Sequence, residues 1–189
     1  MRNLIKLFNK KNIPNLITSL RIILIPCIII CLELNDTNYN WVALFLYIFA
    51  GLSDFLDGFL ARRLEIESNF GKFLDPIADK ILVVSMIFIM VVIEKINGFL
   101  VYPALVIILR EILVSGLRDF FSYKMQNLLV TKLSKLKTLI QMVSLGFLIV
   151  QDNFETNFIY LIGAFGLTVS SILTIYTGYL YFKRNINFF

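Results

Sequence analysis

The chain has 189 residues, and its 58% hydrophobic content and mean hydropathy of +0.80 exclude an ordinary soluble domain of this length. Its net charge of +5 comes from Lys and Arg residues spread unevenly along the sequence, which indicates membrane orientation rather than binding to nucleic acid. Cys27 and Cys31 share one apolar run, and we interpret them as small apolar side chains rather than as a disulfide or a metal pair. The composition therefore predicts an all-α integral membrane protein with a single domain over residues 1–189.

Residues 1–12 combine basic and apolar side chains, which predicts a short amphipathic helix on the anionic cytoplasmic face of a membrane. No signal-peptide cleavage pattern follows it, so we expect the first apolar run to remain as a span over about 15–34. Arg21 lies about two turns inside this span. It either extends to the membrane interface or faces the interior of the helix bundle, and we favour the second interpretation.

Five further apolar stretches predict membrane-spanning helices. They lie at about 41–61, 73–93, 99–121, 133–150 and 158–182. The predicted inner segments are all basic, whereas Lys95 is the only Lys or Arg in the predicted outer loops. By the positive-inside rule, the sequence predicts a bundle of six transmembrane helices with both termini in the cytoplasm.

Four aspartates lie between the middle of the second predicted span and the start of the third: Asp54, Asp57, Asp75 and Asp79. On helices, the first two share one face and the last two share another. Carboxylates at such positions are expensive and normally face a bundle interior or a wet cavity. Two carboxylate pairs on neighbouring helices suit Mg²⁺ or Mn²⁺ and have the capacity for two such ions. The alternative is a structural role, with the carboxylates paired to Lys and Arg at helix ends.

The same stretch reads D-x-x-D-G-x-x-A-R and, eight residues later, G-x-x-x-D-x-x-x-D, which resembles the signature of the CDP-alcohol phosphotransferases. The matching positions are Asp54, Asp57, Gly58, Ala61, Arg62, Gly71, Asp75 and Asp79. The resemblance implies a homodimeric, metal-dependent enzyme in which an alcohol attacks the lipid-side phosphorus of a CDP-linked donor and CMP leaves. It also implies that Asp79 is the general base while the other three aspartates chiefly hold metal.

The residues around this motif have further expected roles. The residues expected to contact the CDP-lipid are Gly58, Ala61, Arg62, Ser68 and Gly71. Gly58 and Ala61 lack bulk, so a nucleotide can approach the backbone, and Arg62 can make paired hydrogen bonds to phosphate. Ser68 either contacts the nucleotide or serves only the turn. Because the chain has no histidine, a carboxylate is the natural base, which agrees with Asp79 in that role.

Two segments bear on the acceptor: R-E-I-L-V-S-G-L-R-D in the fourth span and S-K-L-K-T-L-I-Q-M at the start of the fifth. They are similar to family members that join CDP-diacylglycerol to glycerol 3-phosphate. Arg110, Arg118 and Lys137, together with Arg21, are therefore the candidates that bind the acceptor phosphate. The alternative is ordinary positive-inside charge, and part of the Arg110 charge is expected to be used by the adjacent Glu111.

The sequence thus predicts a phosphatidyltransferase of the inner membrane that acts on membrane lipids at a site facing the cytoplasm. Serine, inositol phosphate or phosphatidylglycerol as the acceptor is the nearest alternative. An intramembrane prenyltransferase would be longer and would leave the spacing of Gly58, Ala61 and Arg62 without a role. A divalent-cation transporter would place its acidic site at mid-membrane, between inverted repeats. Here the aspartates lie toward one face of the membrane, and the sequence shows no inverted repeat.

Overall fold

The computed structural model describes residues 13–34, 36–64, 69–122 and 132–185, and all regular structure in these ranges is helical. The α-helices are α1 (Ile13–Glu33), α2 (Thr37–Leu64), α3 (Asn69–Val92), α4 (Val101–Ser122), α5 (Lys132–Val150) and α6 (Phe158–Asn185). Two short 3-10 helices, Gly98–Leu100 and Gln151–Asn153, precede α4 and follow α5. The predicted all-α class is confirmed, and the amphipathic helix predicted over 1–12 lies outside the described residues.

Three helices in the described part of the chain are long and apolar enough to cross a membrane. They are Gly98–Leu117, Leu133–Asn153 and Phe158–Lys183, and the apolar part of α3, Lys80–Val92, is shorter. The six helices follow the order of the six predicted spans. The number of spans and the cytoplasmic position of both termini stay predictions.

The end of α2 and the start of α3 extend beyond the predicted spans at about 41–61 and 73–93. The α2 helix continues to Leu64 and α3 begins at Asn69, so Gly71 lies in the first turn of a helix. Hydropathy marks only the apolar part of a helix, whereas Arg and Leu are good helix formers and extend α2 past it. The predicted span is therefore shorter than the helix that contains it.

The chain divides into two compact units, residues 1–89 and 90–189. In the first unit α1 packs against α2, and the side chain of Arg21 is fully buried, with 0% exposed. Its Nε donates to Ser53 Oγ at 3.4 Å, and Ser53 Oγ donates in turn to the carbonyl of Ala50 at 2.7 Å. This burial excludes extension of Arg21 to a membrane interface, because a charged group placed there would contact water.

The second unit is organised around α6, which packs against both α4 and α5. Small residues bring α5 and α6 close together: a Cβ added to Gly163 would lie 2.8 Å from the side chain of Leu148, and one added to Gly166 would overlap Ser144 Oγ. Ser144 Oγ donates to the carbonyl of Ile140 at 2.6 Å. Close approach through glycine is a common way to pack apolar helices, since dispersion contacts grow as the backbones approach.

A buried lysine ties the start of the second unit to the end of α5. Lys95 Nζ donates to the carbonyl of Ile149 at 2.8 Å and forms an ion pair with Asp152 Oδ2 at 2.6 Å. Gln151 Nε2 donates back to the carbonyl of Lys95 at 3.2 Å. A cation at the C-terminal end of a helix interacts favourably with its last carbonyl groups, so these contacts fasten the turn that precedes α4.

Candidate active site

The four aspartates predicted to hold metal lie on two consecutive helices. Asp54 and Asp57 belong to the last three turns of α2, and Asp75 and Asp79 belong to the first three turns of α3. Only four residues, 65–68, separate the two helices. The segments that carry the motif are therefore helical, as the i, i+3 and i, i+4 spacings require. The side chains of these aspartates lie outside the described residues.

The residues predicted to contact the CDP-lipid follow the same division. Gly58, Ala61 and Arg62 lie in the last two turns of α2, and Gly71 lies in α3. The side chains of these residues are outside the described set, and so is Ser68 as a whole. The motif thus ends one helix and begins the next.

The described side chains include no group of three or more His, Cys, Asp or Glu that could hold a metal ion. The predicted ligands, Asp54, Asp57, Asp75 and Asp79, lie outside that set. Their chemistry fits the predicted ions, because the set contains only carboxylate oxygens and hard divalent cations prefer oxygen ligands.

Two of the predicted acceptor-binding cations meet in the second unit. Lys137 Nζ, on α5, donates to Glu111 Oε1, on α4, and Arg110 Nη1 lies 3.5 Å from the same oxygen. The side chain of Lys137 is 2% exposed, that of Arg110 is 14% exposed and that of Glu111 is 20% exposed. We call these three residues the basic cluster. Two cations share one carboxylate within it, so the cluster carries a net charge of +1.

Arg110 is also held by α6. Its Nε donates to the carbonyl of Thr174 and its Nη2 donates to Thr177 Oγ1, both at 3.1 Å. A Cβ added to Gly178 would lie 3.4 Å from Arg110 Nε. Sequence reasoning found Arg110 and missed these partners. The signal available was the T-x-x-T-G pattern in the last span, which places two hydroxyls and a glycine within little more than one helical turn.

The other two predicted acceptor-binding cations, Arg21 and Arg118, have no described contact with the basic cluster. Arg21 belongs to the first unit, and its partner Ser53 directly precedes Asp54 on α2. Arg118 lies in α4, two turns after Arg110, and its side chain is outside the described residues. The structure therefore brings Arg110 and Lys137 together, and the roles of Arg21 and Arg118 stay predictions.

Comparison with known proteins defines the class. Residues 11–176 match the family described as CDP-alcohol phosphatidyltransferase, and the chain belongs to that family. The resemblance drawn from the aspartate motif is thus confirmed.

Several bacterial relatives carry the same name, CDP-diacylglycerol–glycerol-3-phosphate 3-phosphatidyltransferase. The protein from Rickettsia felis is 38% identical over 181 residues, which are 95% of this chain and 98% of the relative. That from Wigglesworthia glossinidia brevipalpis is 41% identical over 174 residues, 90% of this chain and 93% of the relative. That from Haemophilus influenzae is 34% identical over 170 residues, 89% of this chain and 90% of the relative.

Proposed function

We propose that the chain is an integral-membrane enzyme that joins CDP-diacylglycerol to sn-glycerol 3-phosphate, giving phosphatidylglycerophosphate and CMP. The similarity to enzymes named for this reaction, over about nine-tenths of the chain or more, carries the proposal. Every position of the motif that defines the donor chemistry is present, from Asp54 to Asp79. The apolar helices support a membrane location, which is where the donor resides.

The proposed reaction is a single displacement at phosphorus. The free primary hydroxyl oxygen of glycerol 3-phosphate attacks the phosphorus that carries the diacylglycerol. The bond between this phosphorus and the bridging oxygen of the diphosphate breaks, and CMP leaves with that oxygen. Asp79 accepts the hydroxyl proton: a carboxylate is the natural base in a chain without histidine, and the family resemblance gives this role to the matching aspartate.

We assign the divalent ions, Mg²⁺ or Mn²⁺, to Asp54, Asp57 and Asp75, with Asp79 as a further ligand. Ions bound there neutralise charge on the diphosphate, which is the main requirement of phosphoryl-transfer catalysis. The residues proposed to bind the CDP-lipid are Gly58, Ala61, Arg62, Ser68 and Gly71. Arg62 offers paired donors to a phosphate, and the small residues let the nucleotide approach the backbone of α2.

The basic cluster supports an anionic acceptor. Arg110 and Lys137 both contact the carboxylate of Glu111, and all three side chains are largely buried. Two cations held close together within apolar helices suit an anionic ligand, because both can donate charged hydrogen bonds to one phosphate. Serine brings no net negative charge, whereas the phosphate of glycerol 3-phosphate does. Arg118 and Arg21 complete the proposed acceptor set.

The enzyme is proposed to lie in the inner membrane, to have its active site on the cytoplasmic side and to work as a homodimer. CMP release tests the function directly. Purified protein is given CDP-diacylglycerol, Mg²⁺ and, in separate reactions, glycerol 3-phosphate, serine, inositol phosphate or phosphatidylglycerol. We expect CMP release with glycerol 3-phosphate and a lipid product of the mass of phosphatidylglycerophosphate. Release with another acceptor but not with glycerol 3-phosphate would overturn the assignment.

A further inference from the structure

The guanidinium of Arg110 is held by two residues of α6. Its Nε and Nη2 donate to two acceptors on α6, the carbonyl of Thr174 and the hydroxyl of Thr177. Since a guanidinium is planar, two donors used in parallel fix both the position and the plane of the group. The third nitrogen, Nη1, is thereby directed toward Glu111 and the basic cluster.

The hydroxyl of Thr177 is arranged to accept from Arg110. Thr177 Oγ1 donates its one proton within α6, where the carbonyls of Leu173 and Thr174 lie at 2.8 and 3.2 Å. A hydroxyl has one donor and two lone pairs, so this use of the proton leaves the lone pairs for a donor from outside the helix. Arg110 Nη2 supplies that donor at 3.1 Å. Valine has the same shape and cannot accept a hydrogen bond.

Gly178 gives the Arg110 side chain room beside α6. A Cβ at this position would lie 3.4 Å from Arg110 Nε and 3.5 Å from its Cγ, which is ordinary van der Waals contact. Alanine therefore fits. The two additional methyl groups of valine would enter the space that the arginine side chain and Val114 occupy.

We propose that Thr177 and Gly178 are positioning residues for the acceptor phosphate: Thr177 fixes the plane of the Arg110 guanidinium, and Gly178 admits its side chain beside α6. The inference rests on the proposed function, because it assigns to Arg110 the binding of glycerol 3-phosphate. It adds α6 to the proposed acceptor-binding residues of α4 and α5.

The test compares two substitutions at position 177. Thr177→Val removes the acceptor and keeps the shape, so KM for glycerol 3-phosphate should rise about three- to tenfold, less than the loss of a whole charged partner. KM for CDP-diacylglycerol should stay within about twofold of that of the unmodified enzyme, because the inference gives Thr177 no contact with the donor. Thr177→Ser keeps the hydroxyl and should restore KM for glycerol 3-phosphate. Gly178→Val should act like Thr177→Val, and Gly178→Ala should not.

Thr168→Val is the matched control. Its hydroxyl donates to the carbonyl of Ala164 at 2.8 Å, one turn earlier in α6. The described partners of Arg110 on this helix are Thr174 and Thr177, more than one turn away. It should leave both KM values unchanged. The double variant Arg110→Gln/Thr177→Val should have the same KM for glycerol 3-phosphate as Arg110→Gln alone, because a positioning residue has no effect once its target is gone.

The outcomes separate the inference from the function on which it rests. Absence of CMP release with glycerol 3-phosphate in the unmodified enzyme would overturn the proposed function. If the enzyme uses glycerol 3-phosphate and Arg110→Gln raises its KM, equal KM values for Thr177→Val and Thr168→Val would overturn the inference alone. Equal increases in both KM values for Thr177→Val, or additive effects in the double variant, would also overturn it by indicating a general structural role.

Discussion

The two ends of α5 hold buried lysines in different charge environments. At its C-terminal end, one lysine, Lys95, has one carboxylate, Asp152, and the carbonyl of Ile149. Near its N-terminal end, Lys137 shares the carboxylate of Glu111 with a second cation, Arg110. The two sites are about 18 Å apart along the helix. Their surroundings distinguish them: we expect the first, a lysine paired at a helix end, to fasten the fold, and the second, with two cations at one carboxylate, to serve an anionic ligand.

The largest effect, a complete loss of activity, is expected from the proposed metal ligands on α2 and α3 rather than from either end of α5. Asp54→Ala, Asp57→Ala and Asp75→Ala should each abolish CMP release, because each removes a proposed ligand of the divalent ions. Excess chelator should have the same effect on the unmodified enzyme, and added Mg²⁺ or Mn²⁺ should restore turnover. Full turnover in chelator would show that charge at the donor is neutralised without metal.

Asp79→Asn should produce the next largest effect, and the effect should be on rate. The variant keeps the shape of the side chain but loses the base, so kcat should fall by about 10²–10⁴. Single-turnover CMP release measures the chemical step, and calorimetry measures binding of CDP-diacylglycerol with metal. Loss of metal-dependent binding would make Asp79 mainly a ligand, and an unchanged chemical step would place the base elsewhere.

Lys137→Gln tests the end of α5 that holds the basic cluster. Loss of a charged hydrogen bond is worth about 1.5–3 kcal/mol, so KM for glycerol 3-phosphate should rise about ten- to a hundredfold. KM for CDP-diacylglycerol should change little. Proportional increases in both KM values would indicate that Lys137 supports the fold, as Lys95 does.

Asp152→Asn tests the other end. It removes the charge of one partner of the buried Lys95 ammonium and keeps the bond to the Ile149 carbonyl. Because Asp152 is partly exposed and solvent weakens such pairs, the free energy of unfolding should fall by only about 1–2 kcal/mol. Both KM values should be unchanged. Thermal unfolding of the purified protein measures the loss, and a selective change in KM for glycerol 3-phosphate would remove the contrast between the two ends.

The smallest effect is expected midway along α5. Gly166→Ala places a methyl group against Ser144 Oγ, and overpacking of this kind costs about 1–3 kcal/mol, here near the lower value because a hydroxyl can rotate. Adding Ser144→Ala should recover most of the loss. Thermal unfolding of the single and double variants measures both steps. A double variant no more stable than Gly166→Ala would show that another contact limits the approach of the two helices.

Hydropathy and spacing predicted the order of the helices and the family. The six apolar runs correspond to α1–α6, and the aspartate motif is visible because its fixed spacings are short. The boundaries were less accurate at α3, which begins at Asn69 rather than at about residue 73, since polar residues continue a helix without adding to its hydropathy.

The partners of the buried cations were not predictable in the same way. Arg110 and Thr177 are 67 residues apart in sequence, and the face of α6 that meets α4 is not marked by hydropathy when the helix is apolar on nearly every side. The ion pair of Lys95 with Asp152 was equally hidden, because Lys95 lies before α4 and Asp152 lies in the 3-10 helix that follows α5. Only the adjacent Glu111 was expected as a partner of Arg110. Its contact with Lys137 depends on the way that α6 packs against both α4 and α5.

The hydrogen bonds from Arg110 to α6 have a consequence for biosynthesis. The ribosome makes the aspartate motif first, then Arg110 and Lys137, and only later Thr174 and Thr177. A nascent chain that has reached α5 therefore contains every proposed catalytic residue while its acceptor arginine still lacks the acceptors that orient it. Maturation of the site should coincide with insertion of the final helix, so a chain stalled or cleaved before residue 174 should bind the nucleotide lipid in preference to the polyol phosphate.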